Sequence, residues 1–216
     1  MAERPVFVPH EYGKRLVDVI TIQFTWHKGM AISQKRKNIA ELHGSAIKRG
    51  LAHLLEVSTK SESELGRRLS AFSLMFSVLG KTASVESIYQ GSKVFESGGP
   101  YTDLYFKTSR EAQGDNRLRM SGNLIRFEFE DKHYPLTPPT AFYDWLYLNA
   151  LYRDSELKEC ILEFNGFTDI AFNPNKSLNC QARSCATFVA LTKRGQIDDA
   201  VESFEFFTDT LKHASL

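Results

Sequence analysis

The segment from Thr140 to Leu148 (TAFYDWLYL) is apolar or aromatic at nearly every position, and its one charged side chain is Asp144. With Pro138, Pro139 and Thr140 opening it, the run predicts a strongly apolar helix over Ala141 to Leu151. A helix without a polar face is buried, so the rest of the chain must enclose it. Its carboxylate must then be paired, or must keep a proton because desolvation raises its pKa. Either state suits acid–base work or holding a substrate hydroxyl. A buried brace between neighbouring elements fits equally well.

Around this helix the pattern is mixed. Val17 to Trp26 is rich in β-branched and aromatic residues and reads as a strand, as does the shorter Leu54 to Val57. Leu124 to Glu130 alternates, predicting a strand with Ile125, Phe127 and Phe129 inward and Arg126 and Glu128 outward, paired with His133 to Leu136. Helical spacing marks Ser33 to Ile47, with Ser33 as N-cap and Gly50 as the stop. Ser61 and Glu64 form a capping-box pattern that opens a helix toward Leu69. Another helix, capped by Thr82 or Ser84, is expected to run to Phe95, before Gly98, Gly99 and Pro100. Tyr101 to Asn123 reads as a long loop with a short helix near Ser109 to Gln113. Helices near Ser155 to Phe164, Cys180 to Lys193 and Asp198 to Lys212 complete the chain. With no repeat and no linker, the expectation is a single domain over residues 1–216, α+β and mostly helical, with a small antiparallel sheet.

Bulk properties narrow the function. The 27 basic and 26 acidic residues leave a net charge of +1, without the basic excess of a protein that grips long nucleic acid through many phosphates. Any nucleic acid is therefore expected to be held over a short stretch. The three cysteines, Cys160, Cys180 and Cys185, together with the lack of a signal-peptide pattern, predict reduced thiols in the cytoplasm. No apolar run reaches membrane-spanning length, and no membrane contact is expected. No pair of Cys or His has metal-ligand spacing, so neither a metal site nor a cofactor is expected.

Three places could carry chemistry. Glu86, Gln90 and Lys93 sit at offsets of four and seven residues, which on a helix puts them on one stripe. Val85, Ile88 and Phe95 fall on the opposite side and would anchor it. A solvated Glu/Lys face would look the same. Asp144 is the second place. The third is Asn173 to Ser184 (NPNKSLNCQARS), where Lys176, Ser177, Asn179, Gln181 and Arg183 crowd a turn into a helix, a ready anion site or a plain surface turn. Lys60 in Ser58 to Ser61 is a similar candidate. The basic run Lys35, Arg36, Lys37 suits a nucleic-acid backbone or simply the wet side of a helix.

Leu69-Ser-Ala-Phe72 followed by Ser84-Val-Glu-Ser-Ile-Tyr-Gln-Gly-Ser-Lys-Val-Phe95 resembles the paired signatures of the NADAR superfamily, an L-S-N-F-type turn and an S-V/E-H-x-Y-Q-x-x-K-F stretch. Here Ala71 replaces Asn, Ser87 replaces His, and Val94 is an extra residue before the Phe. Asp144-Trp145 resembles the family's later D-W element, with Phe142 and Tyr143 where a basic residue is usual. Phe24-Thr-Trp26, Ser33-Gln-Lys35, Glu56 to Ser61, Gly98 to Leu104, Phe172-Asn-Pro174 and Lys176 to Arg183 are similar to a subgroup encoded beside DarT-type toxins.

The resemblance implies an N-glycosidase on a NADAR-like fold that removes ADP-ribose from guanine in DNA and acts as antitoxin. The implied partners are ADP-ribosylated DNA or another ADP-ribose-containing ligand, and a cognate DarT-type toxin. In that reading Glu86 stabilises charge at the anomeric carbon or orients water. Lys93 forms a Schiff base or binds phosphate, Gln90 holds a ribose hydroxyl, and Asp144 assists proton transfer or fixes the ribose. Trp26 or Trp145 stacks on a base, Arg183 and Lys60 meet the pyrophosphate, and Asn179 and Gln181 complete the binding set. Two alternatives stand beside it: an N-glycosidase acting on ribosyl-amine intermediates of the riboflavin pathway, and a non-catalytic protein that binds ADP-ribose or the toxin.

Overall fold

Strands β1 (Ala2–Pro9) and β2 (Val17–Phe24) pair antiparallel from Ala2–Phe24 to Pro9–Val17. The computed structural model describes residues 1–175 and 177–214; Lys176 of the turn singled out above lies outside them, as do Ser215 and Leu216. Helix α1 (Ile32–Ile47) covers this hairpin, and Ile39, Leu42 and Ala46 pack on Val6, Ile22 and Phe24. Ser33 does not cap it: Ala31 holds the cap position without a side-chain bond. Gly50, at φ +85°, lets the chain turn out of the helix. Next come β3 (Leu54–Glu56) and α2 (Glu64–Arg68), whose cap is Ser63, accepting from the Gly66 amide, rather than Ser61.

The hairpin β4 (Met75–Val78) and β5 (Lys81–Ser84) delivers the chain into α3 (Val85–Gly91). This helix ends four residues before Phe95, where sequence spacing would have carried it. Ser92 donates its hydroxyl to the Ile88 carbonyl at 2.8 Å, closing the last turn. Lys93–Phe95 then forms strand β6, which buries Val94 and Phe95. Two short helices, α4 (Ser109–Gly114) and α5 (Arg117–Met120), and a 3₁₀ turn at Thr102–Phe106 order the segment expected to be mostly loop. Thr108 and Glu111 give α4 a reciprocal capping box.

Strand β7 (Leu124–Phe129) pairs with β6 and with β8 (Lys132–Tyr134), the tight turn using positive φ at Glu130 and Asp131. Phe127 and Phe129 face inward as the alternation requires. Ile125 does not: the β6–β7 register shifts beside it, and the bulge leaves it 46 % exposed. Helix α6 (Ala141–Arg153) is central and buried, with the Phe142 ring stacked on Phe127 at 4.6 Å. Then follow α7 (Ser155–Cys160), a 3₁₀ turn at Ile161–Glu163, β9 (Gly166–Thr168) and α8 (Gln181–Lys193). The expected C-terminal helix is two, α9 (Ile197–Glu202) and α10 (Phe204–Ala214), divided at Ser203, whose hydroxyl accepts from the Phe206 amide.

The class is α+β, with strands in three small sheets ordered β2-β1-β9-β3, β4-β5 and β6-β7-β8. One pairing, β3 with β9, is parallel, so the sheet content is not purely antiparallel. No helix among the described residues is long and apolar enough to cross a membrane. Cys160, Cys180 and Cys185 are free thiols.

The β3–β9 pairing brings two acids together inside the protein. Glu56 accepts from the Ser58 hydroxyl (2.7 Å) and the Ile170 amide (2.9 Å) on one oxygen, and from the Thr168 hydroxyl (2.6 Å) on the other. The Thr168 hydroxyl also meets His43 Nε2 at 2.8 Å. Burial, reinforced by the charge of Asp169, pushes the Glu56 carboxyl well above the usual carboxylate range. Burial holds His43 down at about 4. The fold therefore keeps a proton on Glu56 that the unfolded chain releases, a contribution complete below the ordinary Glu value and lost as pH rises toward the raised one. His43 works oppositely, its contribution being present above its ordinary value of 6.5 and lost as pH falls from there through about 4. Because a normal His titrates near about 6.5 and a normal Glu near about 4.3, the two trends oppose each other between about 5 and 6.5, and thermal melting should show Tm declining as pH rises above about 6.5, where Glu56 is still losing its proton. Glu56→Gln should flatten that decline, and an unchanged slope would remove Glu56 as its source.

Candidate functional site

Ser84 ends β5 and caps α3, accepting from the Ser87 amide at 3.1 Å. Val85 and Ile88 are fully buried and fix the back of the helix. The opposite stripe turns Glu86 and Gln90 toward α4. Gln90 Nε2 donates to Glu86 Oε1 at 2.7 Å, and Gln113 Nε2 of α4 donates to the same oxygen at 2.7 Å. Among the described residues, nothing donates to Oε2. Glu86 is 6 % exposed, so this is a nearly buried carboxylate bound by neutral amides on one oxygen and open on the other.

Lys93 is near this pair by a different route from the one its spacing implied. As the first residue of β6 it folds back, and its ammonium donates to Gln90 Oε1 at 2.6 Å while lying 4.8 Å above the Tyr89 ring. It reaches Glu86 only through Gln90. Burial lowers its pKa, and the charge of Glu86 opposes that shift.

Glu86, Gln90 and Gln113 line a cleft of about 250 Å³. Asp169, Phe172, Asn179 and Gln181 line it as well, with Tyr89 and Tyr143 also in its wall. Asn179 hydrogen-bonds the Tyr89 hydroxyl, whose pKa burial pushes up to about 12. Asp169 accepts from the amides of Ala171 (2.9 Å) and Phe172 (3.2 Å) and from Gln181 Nε2 (3.0 Å), yet burial still raises its pKa. Gln181 is occupied in full: it also donates to the Val57 carbonyl at 2.7 Å and accepts from the Ala71 amide (2.8 Å) and Ser70 hydroxyl (3.3 Å).

The other sequence candidates lie elsewhere. Asp144 does not line the cleft. It is enclosed between α6 and α8, with the Ser184 hydroxyl on Oδ1 (2.6 Å) and the Thr140 hydroxyl on Oδ2 (2.7 Å). Burial raises its pKa, and the charge of Arg183 draws it back. Trp145 packs on Tyr134 and Phe204, with ring centroids 5.3 and 5.8 Å away. Trp26 stands between Arg4 and Lys35 against Phe24, beside the first hairpin. Lys60 donates to its neighbour Thr59 and does not line the cleft. Arg183 lines a larger groove adjoining the cleft. Gln113 and Tyr89 both fell within segments marked in the sequence, without a role assigned to either. Asp169 had no local signal. Among the described residues, no group of three His, Cys, Asp or Glu could hold a metal ion.

A family model described as the DarT1-associated NADAR antitoxin matches residues 2–216. No curated protein matches the chain.

Asp144 is thus placed as a brace beneath the cleft. Asp144→Ala should take the shared acceptor from the buried Ser184 hydroxyl, leaving it only the longer bond to the Cys180 carbonyl, and from the half-buried Thr140 hydroxyl, and cost about 2 kcal/mol in urea unfolding, the scale for polar groups stripped of a partner. Asp144→Asn, which keeps the shape and one acceptor, should cost less. Equal stability of parent and alanine variant would contradict the bracing role.

Proposed function

The chain belongs to the DarT1-associated NADAR antitoxin family, and we propose that it is an N-glycosidase that removes ADP-ribose from guanine in DNA, undoing the mark of a cognate DarT-type toxin. The observation that carries this reading is Glu86, a carboxylate sequestered in a cleft with one oxygen held by Gln90 and Gln113 and the other open.

Breaking a ribose–nitrogen bond develops positive charge at the anomeric carbon, and the bonding electron pair leaves with the base. Glu86 Oε2 supplies negative charge beside that carbon and orients the attacking water, whose oxygen forms the new bond to carbon. The water gives up a proton as the base takes one on. Gln90 and Gln113 keep the carboxylate in a fixed rotamer, so little reorganisation accompanies the reaction. Lys93, tethered to Gln90, acts as a positioning residue. Asp144 holds α6 against α8, and with it the wall that carries Tyr143. Asn179 and the Tyr89 hydroxyl it binds present polar atoms to the ribose.

The cleft volume of about 250 Å³ also suits a small ribosyl-amine of the kind split in the riboflavin pathway. Release assays on ADP-ribosylated guanine in single-stranded DNA and on such an amine, run side by side, separate the two. The open carboxylate oxygen argues against a purely binding protein, since a buried acid repels an anionic ligand unless it is used in the reaction.

Glu86→Gln should melt near the parent temperature and lose release of ADP-ribose from modified DNA by at least roughly 10²-fold, the scale of a lost charge-stabilising or acid–base group. Near-parental turnover would sink the mechanism.

A further inference from the structure

The cleft holds only the reacting end of a ligand as large as the one proposed. Its volume, about 250 Å³, falls below the roughly 300–1,000 Å³ of pockets that enclose whole small molecules. It is lined by two acids, Glu86 and Asp169, and by no Lys or Arg among the described residues. Phosphates are repelled there. Immediately beside it lies a groove of about 790 Å³, and Phe172 lines both. This groove carries Arg4 from β1 and Arg183 from the first turn of α8, with Asn173, Phe7 and Leu178.

Neither arginine forms an ion pair among the described residues. Arg4 spends one N–H on the Glu3 carbonyl, at 2.8 Å, and its buried Nε has no partner. The groove's one acid, Glu3, is exposed and binds Gln23 at 2.7 Å. The two compartments are electrostatically coupled: Arg4 feels the charge of Asp169 in the cleft, and Arg183 that of Asp144 beneath it.

From this partition of size and sign we infer that the groove is a phosphate subsite, where Arg4 and Arg183 hold the phosphates of the same nucleotide ligand whose ribosyl–base end enters the cleft. The inference rests on the glycosidase reading for the identity of that ligand. Two sources share the chemistry: the pyrophosphate of ADP-ribose and the backbone phosphates of the modified strand. Guanidinium forks suit both.

The test is equilibrium binding by the full chain of ADP-ribose and, separately, of an unmodified single-stranded oligodeoxynucleotide, at several salt concentrations. Arg183→Gln and Arg4→Gln are each expected to weaken binding roughly tenfold, the loss typical of a charge-assisted hydrogen bond. Arg4 also packs on Trp26, so Leu178→Asp supplies a variant without that risk. Leu178 is 72 % exposed, and a carboxylate there should weaken binding several-fold, most at low salt. Losses confined to ADP-ribose identify the pyrophosphate as occupant, and losses confined to the oligonucleotide identify the backbone. Unchanged affinity for both probes in Arg183→Gln and Leu178→Asp overturns the subsite. Binding is read without turnover, so a chain that binds through these arginines and cleaves nothing defeats the glycosidase reading alone. One that cleaves but ignores them defeats the subsite alone.

Discussion

One buried amide ties together the parts of the chain that form the cleft. Gln181, at the start of α8, donates to the carbonyl of Val57 just beyond β3 and to Asp169 just beyond β9, and accepts from Ser70 and Ala71 in the turn before β4. Val57, Ser70 and Ala71 each lie more than a hundred residues before Gln181, and none of these segments has a regular element long enough to define its own position. A glutamine satisfies all four because it offers two donors and two acceptor lone pairs on a rigid plane. Ala71 in turn accepts the Glu86 amide on its carbonyl at 3.0 Å. The position of one acid of the cleft is therefore referred, through a short chain of hydrogen bonds, to the position of the other.

This arrangement explains how several carboxylates persist in an apolar interior. Among the described residues Glu86 is solvated by amides rather than paired with a cation, the Lys93 ammonium lying behind Gln90. Asp169 has two backbone amides and Gln181. Glu56 has two hydroxyls and an amide, and the raised pKa of its carboxyl lets it shed charge altogether. Asp144 has two hydroxyls. Neutral donors lower the cost of burial without cancelling the charge, which is what a site that must attract a developing cation requires.

The parts of this site that were legible in sequence are those set by local periodicity. Offsets of four residues put Gln90 over Glu86, and the apolar residues on the far side of α3 anchor it as their spacing implies. Lys93 was placed near them by helical spacing; it is near them because β6 pairs with β7, so position survived an error in the element. The strands β1 and β9 were not legible: Pro5 and Pro9 obscure the first, and the second is three residues long. With β9 went Asp169, which owes its position to a parallel pairing with β3 across 112 residues. Trp26 and Trp145 misled for the opposite reason. Aromatic residues suit ligand stacking, but each of these is already occupied, one by two cations and the other by neighbouring rings.

The division of charge along the surface also gives the reaction a direction. A ligand with phosphates at one end and a ribosyl–base bond at the other meets arginines in the groove and carboxylates in the cleft. Each end is repelled from the other's compartment, so a single orientation is favoured before any base-specific contact is made. In that orientation the bond that the proposed reaction breaks would lie beside the two acids of the cleft, Glu86 and Asp169. On the proposed reading, positive charge building at the anomeric carbon would be stabilised there, while the phosphates would be held in the adjoining groove by cations of their own. A short bound segment then suffices, in keeping with a chain whose net charge is only +1: the cations are few, and their placement matters more than their number.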